Sequence, residues 1–352
     1  MTARDPVADL RRIAFLLERA NEATYRVRAF RSAAAAIAAL EPGELAQRAE
    51  AGTLSELPGV GDATARCVTE SLAGEQPAYL GRIPAPAHAA LSPAAAELRS
   101  ALRGDCHLHS DWSDGGSPIE EMALAAVELG HEYMVLTDHS PRLTVAHGLT
   151  ADRLRRQIDR VAALNEALPD GFRILTGIEV DINVDGSLDQ QDALLERLDI
   201  VVGSVHGNLR DDASKMTRRM LTAIANPNLD ILGHMTGRKV AASGVGDRGH
   251  RAGRTRPPSA FDLDKVIAAC LEHDKAIEIN SRPDRLDPPR PMLRVAVQAG
   301  CRFSIDTDAH APGQLDWLHF GCERAASCAV PVGSVINGWS ADNLLEWASA
   351  HK

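Results

Sequence analysis

The 352-residue sequence contains no run approaching the ~20 uninterrupted apolar residues that a membrane-spanning helix needs. It has no excess of positive charge. The formal net charge is −10, which excludes a protein that coats nucleic acid through bulk basicity, although a local basic face remains compatible with it. The six cysteines include no CxxC pair and no small-secreted-domain spacing, so reduced thiols in a cytoplasmic protein are expected. No lysine precedes Lys215, and the basic residues are mostly arginine. There is no Walker-type phosphate cradle and no G-x-S-x-G elbow, which removes P-loop NTPase and serine-hydrolase chemistry. The opening MTARDPVADLRR is polar and holds Asp5 and Asp9, so no secretory signal is expected there. What is present is ordinary globular material, 45% hydrophobic and 24% charged, at a length that suits two domains or one large one.

Residues 1–80 read as all-helical. Val7, Leu10, Ile13, Ala14 and Leu17 recur at helical spacing, with Arg11, Arg12 and Glu18 on the other face. A second, Ala-rich helix is expected over 25–40. Then LSELPGVGD precedes the amphipathic run ATARCVTESL. Gly59 and Gly61, flanking Val60, predict a tight hairpin whose following helix presents outward N–H groups to a phosphate. The stretch 81–103 is rich in Pro and Ala and reads as a linker.

From residue 104 the pattern changes to alternating strands and helices. Strands are expected at 105–108, 133–138, 173–180, 199–205, 230–233, 276–280 and 302–306, with helical runs such as EEMALAAVELG and DKVIAACLEH between them. Repeated βα units imply a parallel sheet, and seven of them suggest a barrel. The Gly-, Arg- and Pro-rich stretch 241–259 breaks the rhythm. It reads as a mobile surface loop, either an inert insertion or a basic arm carrying Arg248, Arg251, Arg254 and Arg256.

Nearly every expected strand ends in a metal-type ligand. The first gives His107 and His109, and its loop gives Asp114. The second gives Asp138 and His139, the third Glu179, the fourth His206, the fifth His234, and the seventh Asp308 and His310. Taken singly, each strand-end histidine is better read as structural. Taken together, six of the thirteen histidines at one kind of position point to a metal site, because such groups are costly to bury unpaired. The strand C-termini of a βα-barrel converge on one face, where active sites are built. Mixed imidazole and carboxylate donors suit zinc, manganese or iron, and this many donors suits two or three ions sharing a carboxylate. Such a cluster generates hydroxide from water and neutralises charge on phosphate oxygens.

At these residues the sequence resembles the PHP (polymerase and histidinol phosphatase) superfamily. DCHLHSDWSDG, LTDHS, GIEVD, SVHGN, GHMTGR and SIDTDAH are similar to its successive motifs, over roughly residues 103–352. The resemblance implies a distorted seven-stranded βα-barrel with a trinuclear site. One ion would take His107, His109, Glu179 and Asp308. A second would share Glu179 with His206 and His234, and a third would take Asp114, His139 and His310. Asp308, His310 and Glu179 are the expected catalytic residues. Within the superfamily, TDHSPRLTVAHGLT, GIEVDINVDGSLD and EINSRPDRLD look like the PHP domain of bacterial family X DNA polymerases. YRVRAFRSAAAAIAAL followed by LSELPGVG looks like their helical, hairpin-containing DNA-binding domain. Only the stretch 81–103 separates these parts, where those polymerases place a nucleotidyltransferase palm, so polymerase activity is not expected. Cys67 stands where a Schiff-base lysine stands in some relatives, so lyase chemistry is not expected either.

These readings converge on a metal-dependent phosphoesterase acting on DNA with strand ends or gaps. The expected reaction is of 3'-to-5' exonuclease, abasic-endonuclease or 3'-phosphatase type, through attack by metal-bound hydroxide. Arg238, Arg282 and Arg285 are the candidates for holding substrate phosphate, against surface salt-bridging as the alternative. A small-molecule phosphomonoesterase such as histidinol phosphatase, and a non-catalytic DNA-binding protein, are the competing functions.

Overall fold

The computed structural model describes residues 4–83, 90–241, 255–350 and 352. Among these, the residues up to 83 form one compact unit and those from 90 onward form another. The linker residues 84–89 and loop residues Arg248, Arg251 and Arg254 lie outside the described residues.

The first unit grows from the apolar stripes legible in its sequence. Helix α1 (Pro6–Arg19) starts at Asp5, whose side chain accepts from the Val7 N–H, with proline at the first helical position. Its stripe Leu10, Ile13, Ala14 and Leu17 packs with Phe30, Ala33, Ala34 and Ile37 of α2 (Thr24–Ala38). Helix α3 (Glu44–Ala51) is followed by a short 3₁₀ turn, Leu54–Glu56, and then by α4 (Asp62–Leu72). Gly59 adopts φ 86°, a left-handed conformation that glycine enters without strain, and a Cβ there would stand 3.2 Å from that of Ser32. Val60 is buried in the unit's core, while the two glycines beside it are exposed.

Residues 93–101 depart from the linker reading. They form helix α5 (Pro93–Ala101), whose Ala95 and Leu98 join the core of the second unit. Ser92 caps it, accepting from the Ala95 N–H, and the Ser92 N–H bonds Glu323 Oε1 at 2.6 Å. Composition pointed to a connector because Pro and Ala are common in both. The Ser-Pro start and the run of helix-favouring alanines decide for a helix.

The second unit is a seven-stranded, all-parallel sheet in sequential order. Its strands are β1 (Gly104–Leu108), β2 (Tyr133–Leu136), β3 (Arg173–Asp181), β4 (Ile200–Ser204), β5 (Ile231–Leu232), β6 (Ala276–Asn280) and β7 (Arg302–Asp306). Helices α6 (Ile119–Glu128), α7 (Ala151–Asn165), α8 (Asp192–Leu195), α9 (Ala213–Ile224), α10 (Leu263–Glu272), α11 (Arg290–Ala299) and α12 (Leu318–Ser327) follow the strands in turn, with α13 (Ala341–Ser349) last. The β1–β7 seam is closed by side chains more than by a ladder. Asn337 Nδ2 donates to the carbonyls of Gly104 and Ile305, at 3.0 and 2.7 Å, and the Ile305 N–H donates back to its Oδ1. The Cys106 N–H donates to Asp306, and Asp105 accepts from Thr307. These contacts make the barrel nearly closed.

Two apolar layers flank the strands. Ile178, Val180, Val201, Ile277, Phe303 and Ile305 face the helices, while Leu175, Ile200, Val202, Ile231 and Ala276 cluster with Ile336, Leu344 and Trp347. Side chains two residues apart share a strand face. The face that carries Leu175 low on β3 therefore carries Glu179 near its end, and the face of Ala276 carries Glu278 and Asn280. No helix among the described residues is long and apolar enough to cross a membrane. All six cysteines are buried free thiols.

Candidate metal centre

The C-terminal ends of the strands bring all nine expected ligands into one network. Glu179 lies at its middle and is 1% exposed. Its Oε1 is 2.9 Å from His234 Nε2 and 3.3 Å from His206 Nε2. Its Oε2 is 2.8 Å from His139 Nδ1, 3.4 Å from His107 Nε2 and 3.7 Å from His109 Nε2. Asp308 Oδ1 stands 3.5 Å from His109 Nε2. Asp114 Oδ1 lies 3.5 Å from His139 Nε2 and 3.4 Å from His310 Nε2.

Among the described residues, three groups of donor atoms are close enough to hold an ion: His107, His109 and Asp308; His139, Glu179 and His206; and His109, Asp114, His139 and His310. Against the expected partition, His139 stands beside Glu179 as well as Asp114, and His109 reaches two groups. His234 lies outside these groups but against Glu179.

The donor set fits cations by what it leaves unsatisfied. His107 Nε2, both nitrogens of His109 and of His206, and His234 Nδ1 are buried without a hydrogen-bond partner among the described residues. A buried polar atom left in that state costs about 1–3 kcal/mol. A divalent ion removes the penalty for several of them at once. Burial by itself raises the Glu179 carboxyl, but the charges of His206, His107 and His139 outweigh it and hold the group well below the carboxylate range. Burial likewise opposes ionisation of Asp308, and Arg285 and Arg282 overcome it. Burial, then His310 and His139, holds the His109 imidazole well below its ordinary value, so it stays neutral as a ligand must.

The loops are pinned by groups outside the ligand set. Asp138, read among the strand-end carboxylates, accepts from the Ser110 N–H and Oγ, from Ser113 Oγ and from Gln157 Nε2, at 2.5–2.8 Å. It therefore anchors the loop that carries Asp114. Asp181 accepts from the His206 N–H at 3.1 Å. Arg153 donates to the carbonyls of His147, Gly148 and Trp112, and Arg219 to those of Ile182 and Gly207. Asp308 takes φ 52°, which costs a residue with a side chain on the order of 1 kcal/mol and needs surrounding support.

The arginines expected at the phosphate separate into two kinds. Arg285 Nε is 3.0 Å from Asp308 Oδ2, and Arg282 Nη1 is 3.5 Å from Asp308 Oδ1 and 2.9 Å from His310 Nδ1. Arg238 instead donates Nε to the Arg285 carbonyl at 3.0 Å and Nη2 to the Leu286 carbonyl. It is bound to the backbone of the segment that carries Arg285. Arg256 does the same at the foot of the 241–259 loop, donating Nε to the Gly237 carbonyl at 2.6 Å.

Sequence reasoning missed Glu278 and Asn280 on β6. Glu278 Oε1 lies 2.6 Å from His107 Nδ1, and Asn280 Nδ2 lies 3.2 Å from Asp308 Oδ2. The available signal was a Glu and an Asn alternating with isoleucines in AIEIN, on a strand expected to be buried.

Comparison with known proteins agrees with this geometry. The PHP domain family matches residues 105–282, and a helix-hairpin-helix domain family matches residues 1–77. The DNA polymerase/3'-5' exonuclease PolX of Bacillus subtilis is 38% identical over 239 residues, which is 68% of this chain but 40% of that protein. A probable phosphatase of a Thermoanaerobacter species is 30% identical over 217 residues, covering 58% of this chain and 78% of its own. A crystal structure of histidinol phosphate phosphatase from Lactococcus lactis, complexed with zinc, L-histidinol and phosphate, aligns with a TM-score of 0.43 at 20% identity, over 64% of this chain and 92% of its own. The chain belongs to the PHP family and is a phosphoesterase that also carries a helix-hairpin-helix domain.

Proposed function

We propose that this phosphoesterase hydrolyses phosphoesters at DNA ends or gaps, with residues 1–80 holding the DNA and residues 104–352 performing the hydrolysis. The observation that carries the DNA reading is the helix-hairpin-helix match beside a barrel 38% identical to part of a polymerase/exonuclease. A 3'-to-5' exonuclease, abasic-endonuclease or 3'-phosphatase reaction fits this pairing.

The nine residues of the cluster would hold two or three divalent ions, manganese or zinc, with iron also chemically suited. Such ions supply Lewis acidity for activating water and for neutralising phosphoryl charge. Glu179 would be the shared ligand, a role supported by its two oxygens facing different histidines. Asp308 and His310 stand beside Arg282, so negative charge on an arriving phosphate meets a guanidinium at the same edge. Arg285, 13% exposed at its side chain, sets the orientation of Asp308 and adds positive charge behind it. Arg238 serves by fixing the segment that carries Arg285. Gly59 and Gly61 would let DNA backbone approach the N-terminal end of α4, with Val60 as the hairpin's buried anchor.

Manganese-dependent release of nucleotide or phosphate from recessed and 3'-phosphorylated oligonucleotides, measured beside histidinol phosphate, tests the reading. Turnover of oligonucleotides is expected, with DNA affinity falling steeply as salt rises. Turnover of the small molecule alone would refute DNA as substrate. That second reading, a small-molecule phosphomonoesterase, has its own support in the likeness of the barrel to the Thermoanaerobacter phosphatase.

A further inference from the structure

Six of the seven strands lead into a proposed ligand, and β6 alone does not. We propose that β6 contributes a positioning carboxylate, Glu278, which sets the ring orientation and proton of His107 so that His107 Nε2 faces the ions. The proposal deepens the metal-centre reading and rests on it.

Glu278 is completely buried, as is Asn280 on the same strand face. A carboxylate sealed from water must have partners, and the partners of Glu278 all belong to the site. Its Oε1 is 2.6 Å from His107 Nδ1. Its Oε2 accepts from the His234 N–H at 2.5 Å and from Asn280 Nδ2 at 3.3 Å. One carboxylate therefore fixes the ring of one proposed ligand and the backbone of another. Asn280 extends the chain of contacts. Its Nδ2 lies between Glu278 and Asp308 Oδ2, and its Oδ1 accepts from the Arg282 N–H at 3.0 Å. With Glu278 Oε1 held against its Nδ1, the ring of His107 is turned so that Nε2 faces the cluster. That nitrogen is buried, has no hydrogen-bond partner among the described residues, and points toward Glu179 Oε2, 3.4 Å away. A carboxylate behind a ligating imidazole makes that imidazole a stronger donor.

The test uses the full chain, stripped by chelation and titrated with zinc against a chromophoric chelator. Loss of an outer partner of this kind weakens metal binding roughly 10- to 100-fold, so Glu278→Gln should fall near the lower end, Glu278→Ala near the upper, and Glu278→Asp should recover part of the loss. Nitrogen-15 histidine spectra of the zinc-loaded wild type should show His107 protonated on Nδ1 and ligated through Nε2, with the resonance identified by its loss in His107→Asn. This second readout needs no variant at position 278 and decides the matter if Glu278→Gln does not fold. Wild-type zinc affinity in Glu278→Gln, or an Nε2 proton on zinc-loaded His107, overturns the proposal alone. A wild type that binds no zinc and no manganese overturns the metal-centre reading, and this inference with it.

Discussion

The helical unit and the histidine cluster of the barrel both bury ionisable groups, but they treat them differently. In the helical unit Glu18 is 4% exposed, and both its oxygens accept from Arg31, at 2.8 and 3.0 Å. Asp9 is 8% exposed and accepts from Arg4 twice and from Ser71 Oγ at 2.6 Å. In the barrel, several imidazoles at the strand ends keep buried nitrogens without a hydrogen-bond partner among the described residues. A satisfied buried charge holds a fold together, whereas a convergent set of unsatisfied donors is built for something that arrives later. The difference separates structural polarity from functional polarity within one chain.

The strongest way to break the comparison is Asp308→Ala. Hydrolysis should fall by more than the ~100-fold that an outer partner is worth, while far-ultraviolet circular dichroism stays that of the wild type. Retained turnover would remove Asp308 from the site. Next in size is the response to metal. A divalent ion at about 100 times its dissociation constant adds about 2.7 kcal/mol to the state that binds it, or roughly 5–10 °C in the barrel's melting transition. Scanning calorimetry with manganese and then with chelator should show the shift appear and vanish, and an unchanged transition would mean the barrel's orphaned donors bind nothing.

The converse substitution, Glu18→Ala, strips a satisfied charge in the helical unit. It should cost about 1–3 kcal/mol in urea unfolding of that unit and leave hydrolysis of a small chromogenic phosphoester unchanged. Loss of that hydrolysis would erase the distinction drawn between the regions.

The smallest effect comes from His131, which sharpens the comparison as an exception. It is 5% exposed, and neither ring nitrogen has a partner among the described residues, yet it stands outside the cluster. Burial, helped by Arg99, pulls its pKa down to about 3. The folded state keeps it neutral while the unfolded chain protonates near pH 6.5, so its cost is absent above that pH. Stability is then lost as pH falls from 6.5 toward 3, by about 1.4 kcal/mol at pH 5.5. His131→Leu should flatten that part of the stability–pH curve, and an unchanged slope would show the ring is already satisfied in solution.

Much of this molecule was readable before its structure. The stripe Leu10, Ile13, Ala14 and Leu17 named the face of α1 that is buried, because a period of 3.6 leaves no other solution. The seven strands were legible as short apolar runs, six of them leading into His, Asp or Glu. Helix α5 was not, since Pro and Ala describe linkers and helix starts equally well until the Ser92 cap and its bond to Glu323 are seen. Arg238 illustrates a second kind of blindness. A guanidinium after a barrel strand suits a phosphate and a backbone carbonyl alike, and only the course of the 285–286 segment places carbonyls against it.

The sequence by itself determined which chemical groups stand at the strand ends, since strand length and the period of two put them there whatever the loops do. It also determined the family, through motifs that are local in the chain. Tertiary structure alone decided how those groups share one another: that His139 reaches both Glu179 and Asp114, that His109 serves two groupings, and that Glu278 stands behind His107 from 171 residues away. The reason is geometric. A ligand's identity is carried by one residue, but its orientation and proton depend on partners that meet it only when the barrel closes.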